Sequence, residues 1–210
     1  MKNLLPILLL GLFTSVAFAH PVAFQGALGV MAYHAPDMVD WQVAYTVHPK
    51  FALGIDYYRD AMEADTKTYY IPRVNFLAHR WNGHDFQANI YLYGGYGVAH
   101  AKGSDRGALL VGGEADYETR KVYFSGRATS LFARDLNNST LYQLRAGIAP
   151  YVGDFEGLNS WLILQAQYFP NALQEKLRVG PLLRFFYRNV LWEAGVSSQG
   201  TWLFNFMVHF

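Results

Sequence analysis

Nine charged residues share one parity in a chain of alternating segments, and they are its best candidates for handling a solute: Asp56, Arg73, Glu114, Asp116, Arg127, Arg145, Arg178, Arg184 and Glu193. The arginines from 127 to 184 would form one basic wall. Fixed charge around a water-filled path selects solutes by replacing part of their hydration. The chemistry to expect is therefore a narrow passage for a small solute, with anions favoured. The same side chains could instead pair off into a plug. In the register derived below, Arg184 and Glu193 fall directly opposite each other and Glu114 lies diagonal to Arg127.

Histidines are the second set. Five of the seven, His20, His48, His79, His84 and His209, fall at one expected rim. An N-terminal amine on His20, with its imidazole and His209 nearby, has nitrogen ligands suited to Cu(II). No H-x-H or H-E-x-x-H spacing accompanies them, so no metal or other cofactor is assigned. The third possibility is a lipid-modifying hydrolase. His100 and Ser130 share the outward parity, but they lie on strands two spacings apart, roughly 10 Å at about 4.8 Å each. A general base must reach its nucleophile by hydrogen bond. His34 and Ser198 are separated in the same way, and there is no G-x-S-x-G, so no catalytic residue is assigned.

What must position these side chains is a set of β-strands. Trp41, Val43, Tyr45 and Val47 alternate with Gln42, Ala44, Thr46 and His48, and the period of two recurs along most of the chain. Hairpins test the register, because a turn works only if it pairs greasy residues with greasy residues. Around His48-Pro49-Lys50, Val47 meets Phe51, Tyr45 meets Leu53 and Val43 meets Ile55. Around Trp81-Asn82-Gly83, Phe76 meets Ala88, and on the polar face Asn75 meets Asn89 and His79 meets Asp85. Around Thr119-Arg120, Tyr117 meets Val122. Around Arg188-Asn189, Phe185 meets Trp192. The alternation predicts strands near 22–34, 40–48, 51–59, 67–80, 84–100, 108–118, 121–133, 140–150, 159–169, 176–187, 190–198 and 201–210, twelve in all. One rim has short turns and a longer connection at 153–158. The other has polar loops at 60–66, 102–107, 135–139 and 170–175.

Size decides which face looks inward. About eight strands is the count whose interior side chains just fill a barrel. A soluble twelve-stranded barrel would be too wide to fill, whereas a membrane barrel turns its greasy face to lipid. The predicted fold is all-β: a transmembrane antiparallel up-and-down β-barrel of about 12 strands.

Composition agrees. With 17% aromatic residues, 19 glycines and 16% charged residues, the chain suits many strands and tight turns, and the absence of cysteine excludes disulfide support. Lys2, the apolar run from Leu4 to Phe13 and Ala17-Phe18-Ala19 predict a cleaved signal peptide over 1–19, leaving a barrel domain over 20–210. Removing Lys2 leaves 16 basic against 16 acidic residues. Nucleic acid is not an expected partner, since no basic excess supplies phosphate affinity.

The leader, the missing cysteines, the even run of amphipathic strands and the closing Trp202, Phe204, Phe206, Val208 and Phe210 together resemble a Gram-negative outer-membrane β-barrel protein. The resemblance implies an outer-membrane location, lipid as surroundings, and engagement of that aromatic C-terminal row by the barrel-assembly machinery as an assembly signal. It singles out no functional family. A narrow channel or a structural barrel with a charged lumen is the expectation. The hydrolase and a metal-binding barrel using the rim histidines are the alternatives.

Overall fold

The computed structural model describes residues 20–154, 157–174 and 176–210, so the expected leader over 1–19 lies outside the described residues. Twelve antiparallel strands close on themselves in sequence order. They are β1 (Leu28–Ala35), β2 (Met38–His48), β3 (Phe51–Asp60), β4 (Lys67–Asn82), β5 (Phe86–Ala101), β6 (Ser104–Thr119), β7 (Val122–Ala133), β8 (Ser139–Ile148), β9 (Asn159–Tyr168), β10 (Leu177–Tyr187), β11 (Val190–Val196) and β12 (Trp202–His209). Strand β1 pairs with β12 along the seam, from Gly29 opposite His209 to His34 opposite Phe204. Beyond the strand ends, Phe210 N donates to the Leu28 carbonyl at 2.9 Å, and Leu28 N donates back at 3.1 Å. The last residue therefore closes the ring.

Alternation turns the greasy rows outward. On β2, Asp40, Gln42, Ala44 and Thr46 are buried, while Trp41, Val43 and Tyr45 are exposed. The exposed rows include Leu53, Leu92, Tyr96, Leu144 and Leu164, and they continue around the wall. An apolar exterior this extensive is far larger than a soluble monomer shows. A closed barrel leaves no strand edge unpaired in hydrocarbon. The molecule is a closed β-barrel with the surface of a membrane-spanning one, its apolar face outside and its polar residues within.

Several register expectations are corrected. At the β2–β3 hairpin, Tyr45 opposite Leu53 and Gln42 opposite Asp56 are as expected, but a bulge between Thr46 and His48 sets His48, not Val47, against Phe51. The β4–β5 hairpin is displaced by four residues: Phe76 meets Leu92 rather than Ala88, and Asn75 meets Tyr93 rather than Asn89. The turn lies at Gly83–Phe86, where Gly83 N donates to the Phe86 carbonyl at 2.9 Å, rather than at Trp81–Gly83, and a bulge between Leu77 and His79 then takes up one residue. Beyond the bulge Arg80 turns inward, where Nε donates to Asn89 at 2.6 Å and Nη2 to Tyr91 at 3.0 Å. His79 turns outward against Trp81 instead of meeting Asp85, ring centroids 4.1 Å apart. At β6–β7 the Thr119 hydroxyl accepts from Lys121 N and Val122 N and widens the turn, so Tyr117 meets Phe124 rather than Val122. This shift of two residues preserves parity, and it sets Glu114 directly opposite Arg127 rather than diagonal to it.

The polar run 102–107 is not a loop. Lys102 and Gly103 both have positive φ, 53° and 69°, the type I′ requirement. The β5–β6 ladder accordingly runs out to Ala101 opposite Ser104. Residues 22–27, expected as the start of strand 1, instead turn into the barrel mouth beside the chain termini. Gly26 N donates to the Thr46 carbonyl at 2.8 Å, Thr46 N donates to the Ala27 carbonyl at 2.9 Å, and Val22 and Ala27 are fully buried. Val22 packs with Ala44, Ala52, Leu77 and Tyr91. A second apolar cluster, including Tyr58, Tyr69, Ile71, Leu110, Leu131, Leu141 and Phe169, fills the interior toward the opposite rim.

Candidate functional site

Between these two packed ends lies a cavity of about 1480 Å³, opening at the rim that carries His20 and Phe210. Its wall includes Arg73 on β4, Arg127 on β7, Arg145 on β8 and Arg184 on β10, and between the first two Glu114, Asp116 and Glu118, three successive inward positions of β6. The strand period of two brings those three carboxylates into one column. The barrel wall thus holds an acidic column set within a basic arc.

Each arginine bonds a carboxylate that does not line the cavity. Arg73 Nη1 donates to Asp56 at 2.6 Å and its guanidinium lies 4.3 Å from the Tyr93 ring centroid. Arg127 Nη2 donates to Asp40 at 2.9 Å, and Gln42 Nε2 donates to both oxygens of the same carboxylate. Glu193, with no exposure, receives three donors: Arg184 Nε at 2.7 Å, Arg145 Nη2 at 2.6 Å and Asn205 Nδ2 at 2.7 Å. Two guanidiniums on one carboxylate leave a net charge of +1 at that point.

The Arg127–Asp40 pair differs from the others in its reach. β7 and β2 are five positions apart in a ring of twelve, one short of diametrically opposite. Arg127 also lies over the ring of Tyr33 on β1, six positions away, at 5.3 Å. A circular ring of twelve strands with about 4.8 Å spacing and about 40° tilt is roughly 22–24 Å across. One arginine and one aspartate bridge that lumen only where the cross-section is flattened. Beyond the bridge, the interior narrows onto a second transverse set. Lys67 on β4 meets Glu63 at 2.6 Å and the Asn137 carbonyl at 2.9 Å, and Ser139 on β8 bonds Asp60 on β3. Leu173 N donates to the Met62 carbonyl at 3.1 Å, joining two loops over that rim.

The remaining candidates are distributed as follows. Arg178 lies apart from the cavity and pairs with Asp37 in the β1–β2 turn. His20 and His209 do meet, but through the His20 carbonyl, which lies 3.3 Å from His209 Nε2. Among the described residues no group of three metal-ligating side chains is present. His100 on the outer surface pairs with Asp105 at 2.8 Å, while the Ser130 hydroxyl faces Thr140 at 3.1 Å. Histidine and serine are not joined. In the closing row, Trp202, Phe204 and Phe210 are exposed, Phe206 is half-buried and Val208 is buried. Asp40, Lys67 and Glu118 were not singled out by sequence reasoning, although the inward parity of each was available to mark it.

His20 sits outside the strands, with Nδ1 3.6 Å from Asp116 and Nε2 3.9 Å from Glu118. Burial, and then the positive charge of Arg80, pull its imidazole down to about 3, so it is neutral at physiological pH.

No protein-family model matches the chain, and no curated protein matches it. Among solved structures, the chain is similar to the KdgM porin in complex with disordered oligogalacturonate, at 10% identity and a TM-score of 0.48, over 88% of this chain and 98% of that one. It is similar to the NanC porin at 8% identity and 0.45, over 87% and 98%. A loop L8 deletion mutant of OmpT, an outer membrane protein of Vibrio cholerae, follows at 8% and 0.33, over 88% and 97%. The likeness is one of outline, and no residue role transfers from it.

Proposed function

We propose that the protein is a narrow outer-membrane channel for a small solute, held shut in this conformation by charge pairs across its lumen. The observation that carries this reading is the Arg127–Asp40 bridge, set between nearly opposite walls at the blind end of a cavity of about 1480 Å³. The rim with the short turns and both termini faces the periplasm, as in barrels inserted from that side. The cavity is then a periplasmic vestibule, and the bridge, with the apolar cluster beyond it, separates it from the outer loops. Four guanidiniums on its wall favour anions at the basic arc.

Charge pairs suit a gate better than an apolar core does. Either partner can exchange its bond for water or solute once the lumen hydrates, whereas packed side chains must be displaced. The exposed aromatics of the closing row, on the same reading, serve assembly rather than conduction.

Conductance in planar bilayers tests the channel. Wild type is expected to stay near baseline with rare brief openings, and Asp40→Ala and Arg127→Ala to open more often. Arg184→Ala is expected to reduce anion preference in the reversal potential. If all of them stayed at baseline, the channel reading would fail.

A further inference from the structure

Asp116 and Glu118 hold no bonded cation among the described residues, whereas three buried acids nearby do. Asp56, Asp40 and Glu193 each bond a guanidinium. Asp116, whose side chain is 3% exposed, receives Asn89 Nδ2 at 2.7 Å on Oδ1, and Arg80 bonds that asparagine rather than the carboxylate. Glu118 Oε1 is buried with no hydrogen-bond partner among the described residues. Among those residues, no lysine or arginine comes within 4 Å of either carboxylate, and the nearest titratable base is the His20 imidazole. Burial holds that imidazole neutral. Carboxylates taken out of water without a cation carry a desolvation penalty that a positive group would offset.

The chain delivers such a group to this spot. The leader signature ends at Ala17-Phe18-Ala19, and the first residue after it is His20, held in the barrel mouth. Three contacts fix its position: its ring lies 5.7 Å from Tyr91, its carbonyl faces His209, and Val22, two residues on, is fully buried. With its imidazole 3.6 Å from Asp116 and 3.9 Å from Glu118, the same residue carries its α-nitrogen into the neighbourhood of these carboxylates. We propose that the chain is cleaved between Ala19 and His20 and that the α-ammonium so released is captured inside the barrel by the Asp116 and Glu118 carboxylates. Cleavage is hydrolysis of the Ala19–His20 amide: water supplies the hydroxyl of the new Ala19 carboxylate and a proton to the His20 amine. The segment 20–27 then becomes a tethered plug whose own terminus is its anchor, and the ion pair forms only in processed protein. This inference does not depend on the channel reading.

The test uses protein purified from outer membranes. Intact mass and N-terminal sequencing are expected to give His20 as the first residue. The folded barrel is then treated with an amine-acylating reagent near neutral pH, and α-amine labelling is followed by mass spectrometry. An ion-paired α-ammonium is expected to label at least about tenfold more slowly than in urea, the factor for each unit by which its pKa rises. Asp116→Asn/Glu118→Gln is expected to return labelling toward the urea rate, with folding checked by the compact gel migration of the unheated barrel. Glu118→Gln alone serves if the double variant does not fold, with an intermediate rate expected. A terminus other than His20 would overturn the proposal. So would wild-type labelling as fast as in urea, or a folded carboxylate variant labelling as slowly as wild type.

Discussion

Glu193→Gln is the substitution with the largest energetic consequence that the interior defines. The carboxylate has no solvent contact and takes Arg184, Arg145 and Asn205 at 2.6–2.7 Å. An amide keeps one acceptor oxygen where there were two and presents an N–H₂ to one guanidinium. It also removes the negative charge between two positive ones. Breaking a buried ion pair from one side costs about 3–5 kcal/mol, mostly because the remaining charge is left buried and unpaired. Here two charges are left. We expect a loss in the upper part of that range. Arg184→Gln should cost less, since Arg145 still neutralises Glu193. Asp65→Asn is the contrast: its partner Lys102 is 57% exposed at 2.9 Å, and such pairs contribute about 0–1 kcal/mol. Equilibrium urea unfolding in lipid vesicles, followed by tryptophan fluorescence, measures all three. A Glu193→Gln loss no greater than that of Asp65→Asn would refute the reasoning.

Other expectations concern the seam, the rim and the wall. Deleting Phe210 removes both backbone bonds to Leu28 and an exposed aromatic, so the protein's level in outer membranes should fall severalfold by immunoblot, and an unchanged level would count against its role in assembly. His20 titrates near 6.5 when free and at about 3 when docked, so the docked state binds fewer protons. Docking of 20–27 should therefore be insensitive to this imidazole above pH 6.5. It should weaken by about 1.4 kcal/mol per unit as pH falls from 6.5 toward 3, and hydrogen exchange of that segment, corrected for intrinsic rate, should rise accordingly. A Cβ added at Gly97 would fall into the Tyr70 carbonyl oxygen and the Ile71 Cα, both backbone atoms of the paired strand. Gly97→Ala should then lower the urea midpoint in vesicles clearly, and a midpoint equal to wild type would show that the β4–β5 wall can yield there.

The barrel was legible because one physical rule, the period of two, repeats over twelve strands, and closure with lipid outside is its consistent solution at that count. The Arg188-Asn189 hairpin was legible to the residue: Phe185 meets Trp192, and Arg184 meets Glu193. Registers were lost where the chain turns later than its turn residues suggest, or where a bulge adds a residue. The bulge at Leu77/His79 carries no turn residue, and the Thr119 hydroxyl pattern appears only once the chain has turned. The run 102–107 read as a loop because it is polar and glycine-containing, whereas only Lys102 and Gly103 turn. Inward parity identified the arginines as facing the interior, but the sequence holds no signal for partners across a ring. Arg127 with Asp40 is separated by 87 residues, and Arg178 with Asp37 by 141. The docked segment 20–27 was missed for a related reason. Its residues continue the apolar pattern of β1, and what folds it inward is Thr46 and Tyr91, far along the chain.

Single-channel recording of Asp40→Ala beside wild type tests the central claim most directly. A gate made by the Arg127–Asp40 bridge predicts quiet wild-type traces and frequent, small, discrete openings in the variant, with an anion-favouring reversal potential. Wild type conducting continuously, or the variant as silent as wild type, would contradict it.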